Sequence, residues 1–173
     1  MSKNHEWRVE QLSPAKHERE SFFCGIEELD QYLKKLATKD VKRKVSQVFV
    51  LVETKNSSKI IAYYSLSAAS FARESLEEDL SKKLPYYPVP AVIIGRFAVD
   101  LEWQGKGIGR FLLMEIFSRI LAVSTIIAVY AIIVDAKNEK AKAFYEQYGF
   151  IPFKENPFRL FIPLKVLEAL EKK

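Results

Sequence analysis

Three closely spaced glycines follow an apolar strand pattern, and their surroundings suit a phosphate-binding turn. Gly105, Gly107 and Gly109 stand directly in front of a helical pattern. The start of a helix leaves backbone N–H groups unpaired and carries partial positive charge, so a glycine turn there can press several amides against a phosphate. Lys106 and Arg110 add side-chain charge. Glycines also serve strand-to-helix turns for conformational reasons alone, and that interpretation stays open.

The spacing of this glycine loop, Gln104-x-x-Gly107-x-Gly109, excludes two common nucleotide sites. It lacks the final two-residue gap of the dinucleotide fingerprint, and no Gly-Lys-Ser/Thr follows, as it does in the phosphate loop of nucleoside triphosphatases. The pattern therefore indicates a phosphate cradle of another kind.

Positive charge is concentrated in one segment of the chain. Between Lys34 and Lys44 there are six basic residues and one acidic residue, so this segment alone matches the net charge of +5 of the whole chain. Apolar residues recur there at three- and four-residue spacing and predict a helix with one buried stripe. The stripe consists of Ile26, Leu29, Leu33, Leu36, Ala37 and Val41. The basic side chains fall between these positions, on a face that is either simply solvated or binds phosphates.

The remaining apolar and β-branched runs predict a mixed sheet covered by helices. The predicted strands are residues 7–12, 47–53, 60–67, 91–100, 126–134, 150–153 and 158–162. The predicted helices besides the basic one are residues 107–121, 138–148 and 164–173, and residues 71–83 are helical or looped. Because the chain has 173 residues and neither repeats nor a linker composition, we expect one domain over residues 1–173.

Composition excludes several classes of protein. A hydrophobic content of 49% with only 6 Gly and 7 Pro excludes a disordered chain. Cys24 has no partner for an internal disulfide, so the reducing cytoplasm is the expected location. The longest apolar run, Thr125–Val134, is much shorter than the roughly 20 residues of a membrane span. The polar start, Met1–Glu10, lacks the apolar core of a signal peptide. We expect His5 and His17 at the surface.

The glycine loop resembles the pyrophosphate-binding motif of the GNAT superfamily of N-acetyltransferases. A second superfamily motif follows in the correct order, Asn138-x-x-Ala141-x-x-x-Tyr145-x-x-x-Gly149-Phe150, with Asp135 three residues ahead of it. The resemblance covers residues 92–153 strongly. It implies an α/β GNAT fold: a central mixed twisted sheet of about six to seven strands, splayed between strands 4 and 5 and flanked by helices. It implies no metal.

A narrower resemblance extends over nearly the whole chain. The residues at 23–25, 29–33, 62–67, 84–90, 96–100, 134–137 and 143–145 are similar to the acetyltransferase toxins of bacterial toxin–antitoxin pairs. This resemblance implies a toxin that acetylates the amino group of aminoacyl-tRNA, stops translation and is neutralised by a ribbon-helix-helix antitoxin. Ala62 and Lys106 depart from the family's pattern without removing a group that the chemistry requires. Family members often form homodimers, and the apolar segment Phe158–Leu170 is the candidate interface.

The resemblance also assigns ligands to residues. Acetyl-CoA would lie where the strands 91–100 and 126–134 splay apart, with its pantetheine arm paired to the backbone of Phe97 and Val99. Asn138 would bond to the pantetheine or orient the loop. The expected cofactor residues are Phe97, Ala98, Val99, Gln104, Gly105, Lys106, Gly107, Ile108, Gly109, Arg110, Asn138 and Phe144. The expected tRNA-binding residues are Lys34, Lys35, Lys42, Arg43, Lys44 and Arg96.

The implied reaction is the attack of an amine on a thioester carbonyl. It needs a neutral amine, donors for the developing oxyanion and a proton for the departing thiolate. A backbone N–H near Phe97 is the expected oxyanion donor. Tyr145 is the expected general acid, because a phenol with a pKa of about 10 and a thiol with a pKa of about 8.5 are close enough to share a proton. A purely structural role for Tyr145 is the alternative, and Tyr148 is a second candidate hydroxyl.

The residues also favour one kind of acceptor. No histidine stands in the core as a base, and an α-amino group with a pKa near 7.7–8.0 is roughly one-tenth neutral at pH 7, whereas lysine is neutral about once in several thousand. This favours aminoacyl-tRNA or a peptide N-terminus, although Asp100, Glu102 and Glu53 stay open as water-mediated bases. Two other functions also stay open: a GNAT enzyme acting on a small-molecule amine or a protein N-terminus, and a non-enzymatic CoA-binding module.

Overall fold

Seven strands and six α-helices follow one another along residues 6–172, the part of the chain that the computed structural model describes. The strands are β1 (Trp7–Gln11), β2 (Gln47–Glu53), β3 (Ala62–Phe71), β4 (Val89–Val99), β5 (Ala131–Asp135), β6 (Ile151–Phe153) and β7 (Asn156–Pro163). The helices are α1 (Glu27–Gln31), α2 (Ala37–Lys42), α3 (Glu78–Ser81), α4 (Ile108–Val123), α5 (Glu139–Gln147) and α6 (Leu164–Glu171). A π-helical turn, Tyr32–Leu36, joins α1 to α2, and 3₁₀ turns cover Arg73–Ser75 and Leu101–Trp103.

The strands form one mixed sheet in the order β1–β2–β3–β4–β5–β7–β6. The first three strands are antiparallel neighbours, and β7 lies antiparallel between β5 and β6. Strands β4 and β5 are parallel, with registered pairs from Ala91 and Ala131 to Ile94 and Val134. β4 then continues to Val99, while β5 ends one residue past its last pair. The predicted α/β class with a mixed, helix-flanked sheet is confirmed.

The described chain divides into two compact units. The first comprises the described residues up to Ser67 together with Arg96–Glu115, and the second comprises Ala68–Gly95 together with the described residues from Ile116 onward. The sequence predicts one domain over residues 1–173, and this remains a prediction.

Each unit has its own apolar core. In the first unit, Leu29 and Leu33 from the basic segment pack with Val50 and Tyr63 of the sheet, and all four are buried. In the second unit, the rings of Phe71, Phe153 and Phe161 form a cluster, with centroids 5.4 Å apart between Phe71 and Phe153 and 4.9 Å apart between Phe153 and Phe161. Aromatic rings bury large areas, so these three rings stabilise the second core.

The basic segment is helical, as predicted, but its periodicity is interrupted. Leu29, Leu33 and Ala37 are buried as the predicted stripe requires, whereas Leu36 is 48% exposed. A π-helical turn closes its hydrogen bonds over five residues rather than four, so it shifts the phase of the side chains that follow. The expectation that Leu36 is buried is therefore wrong.

The sequence predicts that the apolar run in front of β5 is extended, and this prediction is wrong. Ile126 and Ile127 are 84% and 65% exposed, and β5 begins only at Ala131. The N–H groups of both isoleucines bond back to the carbonyl of Val123, at 2.9 and 3.0 Å, and so continue the course of α4. An apolar run without alternation does not distinguish a strand from the end of a helix.

The segment proposed as a dimer interface is largely used by the second unit itself. Within Phe158–Leu170, the side chains of Phe161, Ile162, Leu164 and Leu167 are buried in the chain. Among the large apolar side chains of this segment, Val166 and Leu170 are exposed. A homodimer formed through this segment therefore stays a prediction.

His17 is buried rather than at the surface, so that expectation is wrong. The residue is 4% exposed, its Nδ1 accepts a hydrogen bond from the backbone N–H of Ser13 at 2.9 Å, and its Nε2 lies 2.6 Å from Glu10 Oε1. A backbone N–H can only donate, so the ring proton sits on Nε2 and points to the carboxylate. His5 lies outside the described residues.

Glu10 makes stability depend on pH. Burial alone raises the pKa of Glu10, but hydrogen bonds from Lys16 and His17 outweigh burial and lower this pKa to about 2, from 4.5. Because the folded pKa is below the unfolded one, the stabilisation is complete above pH 4.5 and is lost as the pH falls toward 2. Urea unfolding at several pH values should show that wild type loses about 1–2 kcal/mol more than Glu10→Gln across this range.

The matched control for that prediction is Glu20→Gln, which removes an exposed carboxylate of the same type. It should leave the pH dependence of the free energy of unfolding as in wild type. Equal pH dependence in wild type and Glu10→Gln would contradict a role for the Glu10–Lys16–His17 cluster.

Candidate active site

The glycine loop connects β4 to α4 through two turns. Asp100 caps the 3₁₀ turn, where its Oδ1 accepts a hydrogen bond from the N–H of Glu102 at 3.0 Å. Gly105 and Gly107 then adopt φ values of +75° and +82°. A Cβ at either glycine would meet nothing within 4 Å, so the backbone conformation, and not crowding, demands glycine here.

The side chain of Gln104 ties the loop to its surroundings. Its Nε2 donates to the carbonyl of Val99 at 2.8 Å and to the carbonyl of Cys24 at 2.9 Å. A carboxamide nitrogen has two hydrogens, so both are used on backbone oxygens. The sequence predicts Gln104 as a cofactor residue. In the structure, its side chain stabilises the glycine loop through these two hydrogen bonds.

The beginning of α4 presents the amides that the sequence analysis assigned to a phosphate. The N–H of Phe111 bonds to the carbonyl of Gly107 at 3.1 Å, so the N–H groups of Ile108, Gly109 and Arg110 precede the helical ladder. The side chain of Ile108 is buried and anchors this end of the helix. Partial positive charge and unpaired donors make such a terminus suitable for an anion.

Two cations flank this loop. Lys106 and Arg110 are both exposed, and the Nζ of Lys106 lies 5.2 Å from the centroid of the Trp103 ring. These side chains lie on either side of Gly107 in the chain. The loop therefore combines backbone donors with two exposed positive charges.

A second segment is hydrogen-bonded to the loop, a connection that the sequence does not predict. The carboxylate Oδ2 of Asp100 accepts from the N–H of Phe23 at 3.1 Å, and the N–H of Leu101 donates to the carbonyl of Phe23 at 2.9 Å. The N–H of Cys24 donates to Asp30 Oδ1 at 2.8 Å. Asp100 and Asp30 are both buried. The signal in the sequence was an acidic residue directly after an apolar strand.

These contacts concern Asp100 and Glu102, two of the three carboxylates that the sequence leaves open as water-mediated bases. Both oxygens of Asp100 accept backbone N–H groups, so its carboxylate serves the loop. Glu102 is exposed and bonds to Lys59 at 2.8 Å, and this hydrogen bond lowers the pKa of Glu102. The lowered pKa makes the Glu102 carboxylate a weak base near neutral pH.

The basic face, defined as Lys34, Lys35, Lys39, Lys42, Arg43 and Lys44, lies on the π-helical turn, on α2 and directly behind it. Five of the six side chains are exposed, and Lys34 is half-buried. Lys44 has a φ of +61° and so ends the helix in the left-handed conformation. The prediction that these charges face water is confirmed.

Arg96 lies on β4, one residue before Phe97, in the same unit as the basic face. Its guanidinium carbon lies 3.9 Å from the centroid of the Tyr32 ring. The hydroxyl of Tyr32 in turn donates to Asp40 Oδ2 at 3.1 Å. Arg96 therefore lies against an aromatic face, and no acidic side chain among residues 6–172 forms an ion pair with it.

The second unit carries the second motif at the start of α5. Asn138 caps this helix: its φ of −161° is extended, and its Oδ1 accepts from the N–H of Ala141 at 2.8 Å. The cap uses the carboxamide oxygen, which explains in physical terms why the motif begins with Asn. A bond from Asn138 to pantetheine stays a prediction.

Tyr145 lies on the inner side of α5. It is 6% exposed, and its ring contacts those of Phe144 and Phe150 edge to face, at centroid distances of 5.3 and 5.4 Å. Burial raises the pKa of the Tyr145 phenol well above its ordinary value. The hydroxyl therefore stays protonated at every physiological pH and is a permanent donor. Tyr148 is more exposed and packs against Phe144 at 5.1 Å.

The structure thus places the expected residues in two groups. The first unit holds the glycine loop, residues 97–99 of β4, Arg96 and the basic face; the second holds Asn138, Phe144 and Tyr145. Residues 6–172 contain no group of three or more His, Cys, Asp or Glu side chains arranged to hold a metal ion. None of the helices in that range is long and apolar enough to cross a membrane.

Known proteins match the chain over most of its length. Residues 44–152 match the family model for an acetyltransferase (GNAT) domain. The sequence is similar to a probable toxin TacT of Sinorhizobium fredii, with 30% identity over 170 residues that cover 94% of this chain and 93% of that protein. It is similar to a tRNA-acetylating toxin of Mycobacterium tuberculosis, with 31% identity over 150 residues that cover 87% and 88%.

Three solved structures are also similar to this chain. The fold is similar to AtaT complexed with acetyl-methionyl-tRNAfMet, with a TM-score of 0.89, 31% identity, and 96% of this chain and 99% of that chain covered. AtaTR bound with AcCoA gives a TM-score of 0.82 at 28% identity, with 96% and 98% covered. A tyrosine-to-phenylalanine mutant of AtaT bound to the C-terminus of the antitoxin AtaR gives 0.83 at 28% identity, with 97% and 99% covered.

Proposed function

Because this chain belongs to the GNAT acetyltransferase family, we propose that it is a toxin that transfers the acetyl group of acetyl-CoA to the α-amino group of aminoacyl-tRNA. The observation that carries the proposal is the similarity, over 96% of the chain, to a toxin solved with its acetylated aminoacyl-tRNA. Acetylation of the α-amine removes the nucleophile that peptide-bond formation needs, so translation stops.

Acetyl-CoA is the co-substrate, and the first unit supplies most of the groups that bind it. The amides from Gly105 to Arg110 hold the pyrophosphate, with charge from Lys106 and Arg110. The backbone of Phe97 and Val99 pairs with the pantetheine arm as an added strand would. Ala98, Asn138 and Phe144 complete the set. Support comes from the positive φ of Gly105 and Gly107 at the helix start and from the course of β4 to Val99.

The chemistry is a direct transfer between two substrates. The neutral α-amine attacks the thioester carbonyl, a backbone N–H near Phe97 stabilises the oxyanion, and the C–S bond then breaks. Tyr145 donates its proton to the departing thiolate, the amine loses one proton to water, and water returns a proton to the Tyr145 phenolate. Burial raises the pKa of Tyr145, and dry surroundings raise that of a leaving thiol by the same desolvation, so the proton is still shared.

The acceptor is an α-amine because the site needs no strong base for it. An α-amino group is partly neutral at pH 7, whereas a lysine is almost fully charged. The environments of Asp100 and Glu102, both bound to other groups, support this proposal. The basic face and Arg96 bind the phosphates of the tRNA, which lies in the cytoplasm. A cognate antitoxin neutralises the enzyme, in line with the AtaT–AtaR complex.

Transfer of label from acetyl-CoA to RNA tests the function directly. The protein is incubated with labelled acetyl-CoA and either charged or uncharged tRNA, and label should appear only on charged tRNA. Label on neither RNA, with turnover of a small amine or a peptide N-terminus instead, would replace the toxin by another GNAT activity. Binding of CoA without any turnover would leave a non-enzymatic binding module.

Gly107→Ala should raise the KM for acetyl-CoA about tenfold or more and leave the KM for aminoacyl-tRNA unchanged. An L-residue at a φ of +82° strains the turn, and the loop relaxes away from the geometry that aims its amides at the pyrophosphate. Initial rates with each substrate varied in turn measure both constants. An unchanged KM for acetyl-CoA in a folded variant would contradict the assignment of the loop.

A further inference from the structure

The guanidinium group of Arg96 lies over an aromatic ring. Its guanidinium carbon lies 3.9 Å from the centroid of Tyr32, and within residues 6–172 no carboxylate forms an ion pair with it. Arg96 is half-buried on β4, so its position is restricted by the strand. A guanidinium that stacks through its flat face keeps its N–H edges for another ligand.

Tyr32 is itself firmly held. It is buried, its ring is nearly parallel to that of Tyr63 at 6.4 Å, and its hydroxyl donates to Asp40. It is the first residue of the π-helical turn, which shifts the phase of the helix at this point. Burial raises the pKa of the Tyr32 hydroxyl, so the ring stays neutral. A ring restrained by the sheet and by α2 can fix a cation that rests on it.

The π-helical turn that contains Tyr32 also contains two residues of the basic face. Lys34 and Lys35 follow Tyr32 by two and three residues in the π-helical turn. The positions of the stacking ring and of two phosphate-binding candidates are therefore set by one short piece of backbone. Arginine binds phosphate through two parallel N–H bonds. A guanidinium group whose orientation is already fixed loses less conformational entropy on binding.

We propose that Tyr32 is a positioning residue whose ring orients Arg96, so that the N–H edges of Arg96 bind a phosphate near the aminoacylated 3′ end of the tRNA. This inference rests on the proposed function and deepens it. The basic face then binds phosphates in the rest of the tRNA independently of its sequence, while Arg96 positions the aminoacylated 3′ end.

A double-mutant cycle tests whether Tyr32 acts through Arg96. Tyr32→Leu and Arg96→Gln should each raise the KM for aminoacyl-tRNA about tenfold, and the double variant should raise it no further. The KM for acetyl-CoA should stay as in wild type. Tyr32→Phe keeps the ring and should stay within about twofold of wild type. Multiplied effects in the double variant would overturn the proposal.

A phosphate-free acceptor tests the ligand. 3′-O-Aminoacyl adenosine has the ester and the α-amine but no phosphate, so wild type and Arg96→Gln should acetylate it with equal kcat/KM. A loss with this acceptor as large as that with aminoacyl-tRNA would mean that Arg96 acts on the aminoacyl group, which overturns the proposal.

Stability is separated from positioning by two further variants. Val52→Ala removes a buried side chain of the same apolar core, outside the turn, and should lower Tm without changing the KM for aminoacyl-tRNA. Should Tyr32→Leu fail to fold, Arg96→Lys takes its place: lysine keeps the charge but not the planar stack, so its KM should rise as in Arg96→Gln. A wild-type KM for Arg96→Lys would overturn the inference.

The acetylation assay on wild-type protein distinguishes a failure of this inference from a failure of the proposed function. Wild-type protein that acetylates no aminoacyl-tRNA overturns both. Wild-type protein that acetylates aminoacyl-tRNA, together with an unchanged KM in folded Tyr32→Leu, overturns the positioning role alone.

Discussion

Tyr145→Phe should lower kcat for acetyl transfer by about 10²–10⁴-fold while acetyl-CoA still binds with wild-type affinity. The variant removes only one oxygen and its proton. The ring stays in its aromatic contacts with Phe144 and Phe150, so the fold of the second unit is retained. What is lost is the donor that neutralises the thiolate, and without it the C–S bond must break to give a charged leaving group in dry surroundings.

The measurement is single-turnover transfer to charged tRNA, with calorimetric binding of acetyl-CoA in parallel. Tyr148→Phe is the matched control, because it removes a hydroxyl from the same helix end, three residues further on, and should keep kcat within about twofold. In a bacterial host, expression of wild type should arrest growth and expression of Tyr145→Phe should not. Full activity of Tyr145→Phe would return this residue to the structural role that the sequence also allowed.

Neutralising three charges of the basic face should weaken tRNA binding about 10–100-fold near physiological salt. The variant combines Lys42→Gln, Arg43→Gln and Lys44→Asn; asparagine is chosen for the last position because it tolerates the φ of +61°. Each phosphate contact contributes close to one unit to the slope of log K against log salt. The slope should therefore fall by about 2–3 units, and acetyl-CoA binding should not change.

Filter binding of tRNA over a series of salt concentrations gives both quantities. The control removes three exposed lysines elsewhere, in Lys55→Gln, Lys154→Gln and Lys165→Gln, so that net charge changes by the same amount. This control should leave the slope within about half a unit of wild type. An equal loss in both triple variants would show that net charge, and not the basic face, attracts the RNA.

Several elements could be predicted from local sequence because local rules dominate there. The bounds of β2, Gln47–Glu53, agree with the prediction, since a β-rich run ends at polar turn residues. The start of α4 behind the glycine loop was predicted within one residue because glycine ends one regular structure and opens another. The apolar residues 126–130 were misassigned because hydrophobicity without periodicity does not specify a backbone conformation.

Other features depend on contacts between residues far apart in the chain. The amide of Gln104 donates to Cys24 and Val99, and Cys24 lies 80 residues away, so this contact could not be predicted; the role of Gln104 toward the cofactor stays a prediction. The burial of His17 depends on Glu10 and Ser13 in the folded chain. The π-helical turn could not be predicted, because its sequence suits an ordinary α-helix equally well; its first residue, Tyr32, stacks on Tyr63 of β3.

The sequence by itself determined the chemistry that the chain can perform: the glycines that need positive φ, the tyrosine of the second motif and the six basic residues are all local in kind and spacing. Only the tertiary structure decided how those groups are held. It buried Tyr145 so that its phenol stays protonated, placed Arg96 on Tyr32, and anchored the glycine loop through Asp100 and Gln104. The physical reason is that desolvation, stacking and hydrogen bonding act between groups that only folding brings together.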